Sequence, residues 1–349
     1  MKGPGGYMAR RQIPVIALTG YLGAGKTTVL NHLLRTPGAR IGVVVNDFGA
    51  INVDAGLITG QVDAAQSIAG GCVCCLEDSG GLDQALATLA APRLRLDVII
   101  VEASGVAEPL SLARLIRFSQ AKNIRPAGLI EVVDAANYFD TVDTRSDPPA
   151  RFEAASLVVL NKIDQLDRAV HAGEGKAAVL GRIAERIALR NPRVPLVQAV
   201  RGGIDPELVF DVALAEDPED QLPLGALMRA EHGSGTHQHA ASVALPAPAP
   251  IAAGALVNLL ERPPAGVYRL KGIVQVATAR GVKSWAVNLV GRHIHVAAHA
   301  GSGEPGLVAI GVGIDEQAVR ERLAETLSAA QGADSEGTRR LQRHARLSA

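Results

Sequence analysis

"GYLGAGKT", residues 20–27, is the stretch on which the reading of this 349-residue chain turns. Its spacing, from Gly20 through Gly25 to Lys26 and Thr27, is that of a Walker A phosphate loop. It follows a β-branched apolar run, "PVIALTG", and opens a helix-like segment, "TTVLNHLLR", the strand–loop–helix setting such a loop requires. Gly20, Gly23 and Gly25, with Ala24 between the last two, let backbone N–H groups turn inward around phosphate oxygens. Lys26 would lie along the β- and γ-phosphates, and the Thr27 hydroxyl would sit on Mg2+. A nucleoside triphosphate site is the expectation.

Outward from the loop, short apolar runs alternate with amphipathic stretches as far as about residue 210. "RIGVVVND", "LDVIIVEAS", "GLIEVVDA", "ASLVVLNKID" and "VPLVQAV" read as strands buried on both faces. "GGLDQALATLAA", "LSLARLIRFSQ" and "KAAVLGRIAERIAL" read as the helices between them. This alternation predicts an α/β fold with a doubly wound, mostly parallel sheet over residues 13–212. Residues 1–12 read as a flexible N-terminus, residues 213–250 as a His- and Ala/Pro-rich linker, and residues 251–330 as a smaller α+β domain. Residues 331–349 read as a polar, frayed tail.

Strand ends should carry the chemistry, because ligands of such sheets bind beyond the carboxyl ends of the strands. "LVVLNKID" brings Asn161, Lys162 and Asp164 to one such end. A carboxylate at Asp164 accepts from N1–H and the 2-amine of guanine, which adenine does not offer, while Lys162 can lay its aliphatic stem along the base. GTP is therefore the expected nucleotide. "LDVIIVEASG" delivers Glu102 to hold Mg2+ through water, and places the Gly105 N–H to sense the γ-phosphate. Asp47, in "VVVNDFGAINVD", is a candidate to orient water or metal; Asp134 is read as a loop stabiliser.

All three cysteines, Cys72, Cys74 and Cys75, fall in "GGCVCC". Three thiolates make a soft site suited to Zn2+ or another late transition metal such as Co2+, and lack the fourth ligand of a closed structural site. That suits a metal meant to be passed on. His237 and His239, with His232, lie in the Gly/Ser-rich part of the linker as a loose metal feed. His293, His295 and His299 are candidates for a second site.

Lys+Arg and Asp+Glu are 35 each, which argues against a broad basic surface for nucleic acid or anionic membrane. No apolar run approaches a bilayer span, so the expected location is the cytoplasm.

The ordered set "GYLGAGKTT", "NDFGAINVD", "GGCVCC", "VEASGVAEP" and "NKID" resembles the CobW-type GTPases, metallochaperones related to those that mature urease and hydrogenase. "YRLKGIV" and "GLVAIGVGID" resemble that family's C-terminal domain. The resemblance implies that Gly23, Gly25, Lys26, Thr27 and Thr28 bind phosphate and Mg2+. It also implies that Glu102 to Gly105 form an ExxG element, that Asn161 to Asp164 read guanine, and that Cys72, Cys74 and Cys75 form a CxCC metal motif. The expected function is GTP-dependent delivery of a transition metal to a client protein, with slow turnover until a client or a second protomer in a nucleotide-dependent dimer contributes. A metal-sensing regulatory GTPase and a zinc store share these motifs, and a P-loop ATPase or kinase with a structural metal shares the loop.

Overall fold

The computed structural model describes residues 12–36, 39–46, 64–68, 80–103, 108–144, 149–166, 175–210, 240–300, 304–330 and 332–348. Among them the chain divides into two compact units, one within Ile13–His239 and the other made of Gln12 and the residues from Ala240 onward.

The first unit is built on seven strands: β1 (Ile13–Gly20), β2 (Ile41–Asn46), β3 (Ala64–Ile68), β4 (Val98–Glu102), β5 (Ile124–Asp134), β6 (Leu157–Asn161) and β7 (Leu196–Gln198). They form one sheet in the order β3-β2-β4-β1-β5-β6-β7, and every pairing is parallel. Val15 and Ala17 of β1 face one core; Ile16 and Leu18, equally buried, face the other way. Covered on both sides, the strands must be continuous apolar runs, which is how they read in the sequence.

The helices that flank the sheet are α1 (Lys26–Leu33), α2 (Gly80–Leu89), α3 (Pro109–Arg117) and α4 (Lys176–Ala188). Leu82, Leu86 and Leu89 of α2, Leu112 and Ile116 of α3, and Ile183 and Ile187 of α4 bury helical stripes against the strands. The fold expected for this unit is thus observed. β3 is an addition to it. Its sequence, "AAQSI", has none of the β-branched run that marks the inner strands, and it lies at the sheet edge.

Register decides where the site sits. Leu18 pairs with Glu102, Gly20 with Val132, Val45 with Glu102, and Asp134 with Asn161. The carboxyl ends of β1, β2, β4, β5 and β6 therefore line one edge, with β1 at the point where the strand order reverses.

The second unit is a five-stranded antiparallel sheet in the order β11-β10-β9-β12-β8. Its strands are β8 (Ala241–Pro246), β9 (Val267–Thr278), β10 (Gly281–Val290), β11 (His293–Ala298) and β12 (Gly306–Gly311). Its helices are α5 (Ala253–Glu261), α6 (Glu316–Thr326) and α7 (Ser335–Ser348). Leu256, Val257 and Leu260 pack with Leu270, Val287, Leu307, Leu323 and Leu341 in one core.

Two segments differ from expectation. Residues 241–246, expected within a linker, form an edge strand paired with β12, and Pro246 is tolerated as its last residue. Residues 335–348, expected as a frayed tail, form α7. The Asp334 carboxylate accepts from the Gly337 N–H at 2.8 Å and the Gly254 N–H at 2.8 Å, so one side chain caps both α7 and α5. Leu341 is buried, and Arg340 and His344 reach Glu261 at 2.6 and 3.0 Å. The polar sequence is thus a helix held by its neighbours rather than by its own propensity. Asp334→Ala should cost about 1–2 kcal/mol of the second unit's stability, read as an earlier thermal transition; an unchanged melt would show that the double cap is idle.

Candidate nucleotide site

The phosphate loop is shaped by what its glycines lack. Gly20, at the end of β1, has φ +152°, and a Cβ there would run into the Val132 carbonyl of β5. Gly25, the residue before α1, has φ +97°, and a Cβ there would meet the Asn161 side-chain amide. Gly23 also takes a positive φ, +77°. Ala24 between them is buried, and its N–H donates to the Tyr21 carbonyl at 3.1 Å. Lys26 is 8% exposed, and its ammonium donates to the Gly20 and Tyr21 carbonyls at 3.0 and 3.3 Å, curling over the loop that the sequence assigned to phosphate.

One residue further on, the Thr27 hydroxyl donates to the Glu102 carboxylate at 2.7 Å. Glu102 is buried at the tip of β4 and Thr27 is the second residue of α1, so a strand end and a helix N-terminus bring a hydroxyl and a carboxylate together. These are hard oxygen donors of the kind Mg2+ takes beside a phosphate, and the pair fits that ion. Thr28, the next residue, is exposed.

Asn161 does more than its position in "NKID" announces. It is 2% exposed; its amide donates to the Ala24 carbonyl at 3.0 Å, and its amide oxygen accepts from the Gly202 N–H at 2.9 Å. The side chain thereby ties the phosphate loop to the turn after β7. Lys162 takes a left-handed backbone, φ +61°, and its ammonium donates to Asp134 at 2.8 Å. Asp134 also accepts from the Ala136 and Asn137 N–H groups, at 3.1 and 3.2 Å, and from the Asn137 side chain at 2.9 Å. It both builds its own loop and anchors the tip of Lys162. Burial works against its charge, yet the bonds from Lys162 and Asn137 hold its pKa below the ordinary carboxylate range. Asp164 is exposed, in a short turn of Ile163–Gln165.

Beneath the loop lies a cluster the sequence reading passed over. Glu131, at 1% exposure in the middle of β5, accepts from the Thr19 hydroxyl at 2.5 Å and pairs with the Arg151 guanidinium. Arg151 in turn lies over the Tyr21 ring, 5.2 Å from its centroid. Burial pushes the Glu131 carboxyl up, while Arg151, Thr19 and Lys26 oppose the rise. The signal was present in "GLIEVVDA", where a lone acid interrupts a buried apolar run.

Asp47, Gly105, Cys72, Cys74, Cys75, His237 and His239 lie outside the described residues. His293 and His295 share a face of β11, whereas His299 stands roughly 13 Å further along the strand direction. Among the described residues no group of three or more His, Cys, Asp or Glu side chains is placed to hold a metal ion, so these three do not form the second site considered for them. Also among the described residues, no helix is long and apolar enough to cross a membrane.

Asn161→Ala would strand a buried carbonyl and a buried N–H. It should lower the stability of the first unit by about 2–4 kcal/mol, measured by denaturant titration. Asp134 contributes stability above its unfolded pKa of about 4 and loses it as pH falls through the lower folded value. Asp134→Asn should therefore flatten the acid limb of the stability curve; an unaltered limb would show that its bonds are energetically silent.

Residues 14–188 match the family model described as "CobW/HypB/UreG, nucleotide-binding domain", and residues 240–327 match "Cobalamin synthesis protein cobW C-terminal domain". The chain is 34% identical over 245 residues to a protein named zinc chaperone CobW from Pseudomonas aeruginosa, covering 60% of this chain and 62% of that one. It is 31% identical over 208 residues to one named zinc chaperone YjiA from Escherichia coli, covering 57% and 61%. It is 27% identical over 312 residues to one named zinc-regulated GTPase metalloprotein activator 1 from Dictyostelium discoideum, covering 76% and 64%. The matched stretches thus span less than two thirds of each relative's own length. With one model matching the phosphate-loop unit and the other the antiparallel unit, the chain belongs to the CobW/HypB/UreG family and carries a CobW C-terminal domain.

Proposed function

We propose that this chain is a GTP-hydrolysing metallochaperone that carries a transition metal, zinc before cobalt, at Cys72, Cys74 and Cys75 and hands it to a client protein. The observation that carries the reading is the Thr27–Glu102 pair, 2.7 Å apart at the mouth of a glycine loop that Asn161 braces. Lys26 would move from the loop carbonyls to phosphate oxygens, which offer it full rather than partial negative charge. Thr27 and Glu102 would hold Mg2+, which would supply positive charge beside the phosphates. Lys162, anchored by Asp134, would offer its stem to the base, and Asp164 would accept the guanine N1–H and 2-amine. Gly105 and Asp47 would complete the site by sensing the γ-phosphate and orienting water.

The place of the cysteines in the chain supports coupling between nucleotide and metal. β3 ends at Ile68, in register with Asn46 on the edge that also carries Glu102, and Cys72 is the fourth residue beyond it. A four-residue step spans at most about 14 Å, so chain connectivity alone would keep Cys72, the first of the three, within that reach of the end of β3. Names such as zinc chaperone and metalloprotein activator among the relatives support a metal cargo and a protein client. Turnover would stay slow until the client or a second protomer contributes, and His237 and His239 would feed metal to the thiolates.

Zn2+ affinity measured by chelator competition tests the coupling, with GDP and with a non-hydrolysable GTP analogue bound. Wild type should bind with an affinity that differs by about tenfold between the two nucleotides, and Cys72/Cys74/Cys75→Ser should lose the tight site. Affinity that ignores the nucleotide would leave a zinc store, and binding that survives without the thiols would overturn the site itself.

A further inference from the structure

The side chains of Glu131, Arg151 and Tyr21 have no part in the roles assigned above, yet the first two lie directly against the phosphate loop and the third belongs to it. Glu131 is a buried carboxylate paired with one cation and under the influence of a second. Arg151, from the short turn Ala150–Ala154, pairs with it, and Lys26, the first residue of α1, lies within its electrostatic reach. Thr19, the residue before the loop, gives it a hydroxyl at 2.5 Å. The Arg151 side chain is 12% exposed and lies over the Tyr21 ring, so the guanidinium bridges the carboxylate below the loop and an aromatic ring within it. Without Arg151 the carboxylate would face Lys26 alone among these cations. The lysine ammonium would then serve a buried carboxylate in competition with phosphate.

We propose that Arg151 is a positioning residue that keeps Lys26 available to the nucleotide, by neutralising Glu131 while its guanidinium holds Tyr21 and the first half of the phosphate loop. The inference rests on the nucleotide reading of the loop and adds a specific cause for its affinity. It also gives Glu131 a conditional character. Burial already pushes its carboxyl up and Arg151 opposes that, so removing the guanidinium would push it up further. The charged groups facing it are Arg151 and Lys26, so protonation of Glu131 in an arginine-less variant releases Lys26.

The test is titration of the full chain, with Mg2+, by fluorescent mant-GTP and mant-GDP between about pH 6 and pH 9. Arg151→Met should bind both nucleotides about tenfold more weakly at the alkaline end and regain affinity as pH falls. The double variant Glu131→Gln/Arg151→Met should show no such pH dependence and stay within about threefold of wild type. Glu131→Gln alone, nearly isosteric, should bind at least as tightly as wild type, and it carries the test if Arg151→Met does not fold. Arg151→Met equal to wild type at every pH would overturn the proposal. So would a pH-independent loss shared by the double variant, or a tenfold loss in Glu131→Gln. A wild type that binds neither nucleotide would instead overturn the reading of the loop itself.

Discussion

The phosphate loop keeps its shape because a single buried amide spans it. Asn161 donates to the Ala24 carbonyl and accepts from the Gly202 N–H, and the absence of a side chain at Gly25 is what lets it approach. An amide buried to this degree must be satisfied at both ends, or its desolvation goes uncompensated. The geometry is therefore mutually enforced. The loop satisfies Asn161, Asn161 fixes the loop, and Gly202 brings the turn after β7 into the same arrangement. Lys26 and Thr27 inherit their positions from this bracing, since α1 starts at the residue after Gly25.

Buried charge is used around this edge to fix geometry more than to add stability. The Asp143 carboxylate receives both arms of Arg186, at 2.7 and 2.8 Å, which pins α4 to the segment after β5. Asp134 holds Lys162, and Glu131 holds Arg151. Each pair gives up hydration that an apolar pair would not, and gains in exchange a defined direction for a long, flexible side chain.

The parts legible in the sequence were those whose signal is local. β1, β4 and β6 are runs of apolar residues, and the loop at residues 20–27 has a spacing that few other structures require. Parallel pairing then brings the strand ends together, so the convergence of Lys26, Thr27, Glu102 and Asn161 on one edge followed from the fold class. What was not legible depends on partners distant in the chain. Asn161 reads as a base-recognition residue until Ala24 and Gly202 are seen around it. α7 reads as a solvated tail until Asp334 and Glu261 are in place. Glu131 stands out as an acid in an apolar strand, but nothing near it in sequence says that its partner is Arg151, 20 residues on.

The strand order has a consequence for how the chain is made. β1 is made before the other described strands and is the central strand of its sheet, flanked by β4 and β5. Its second neighbour is complete only at Asp134, 114 residues after Gly20. At synthesis rates of about 5–20 residues per second, that leaves an apolar strand with at least one edge open for on the order of ten seconds. A nascent chain of this design would have its greatest need of a holdase early, and would lose it abruptly once β5 is made.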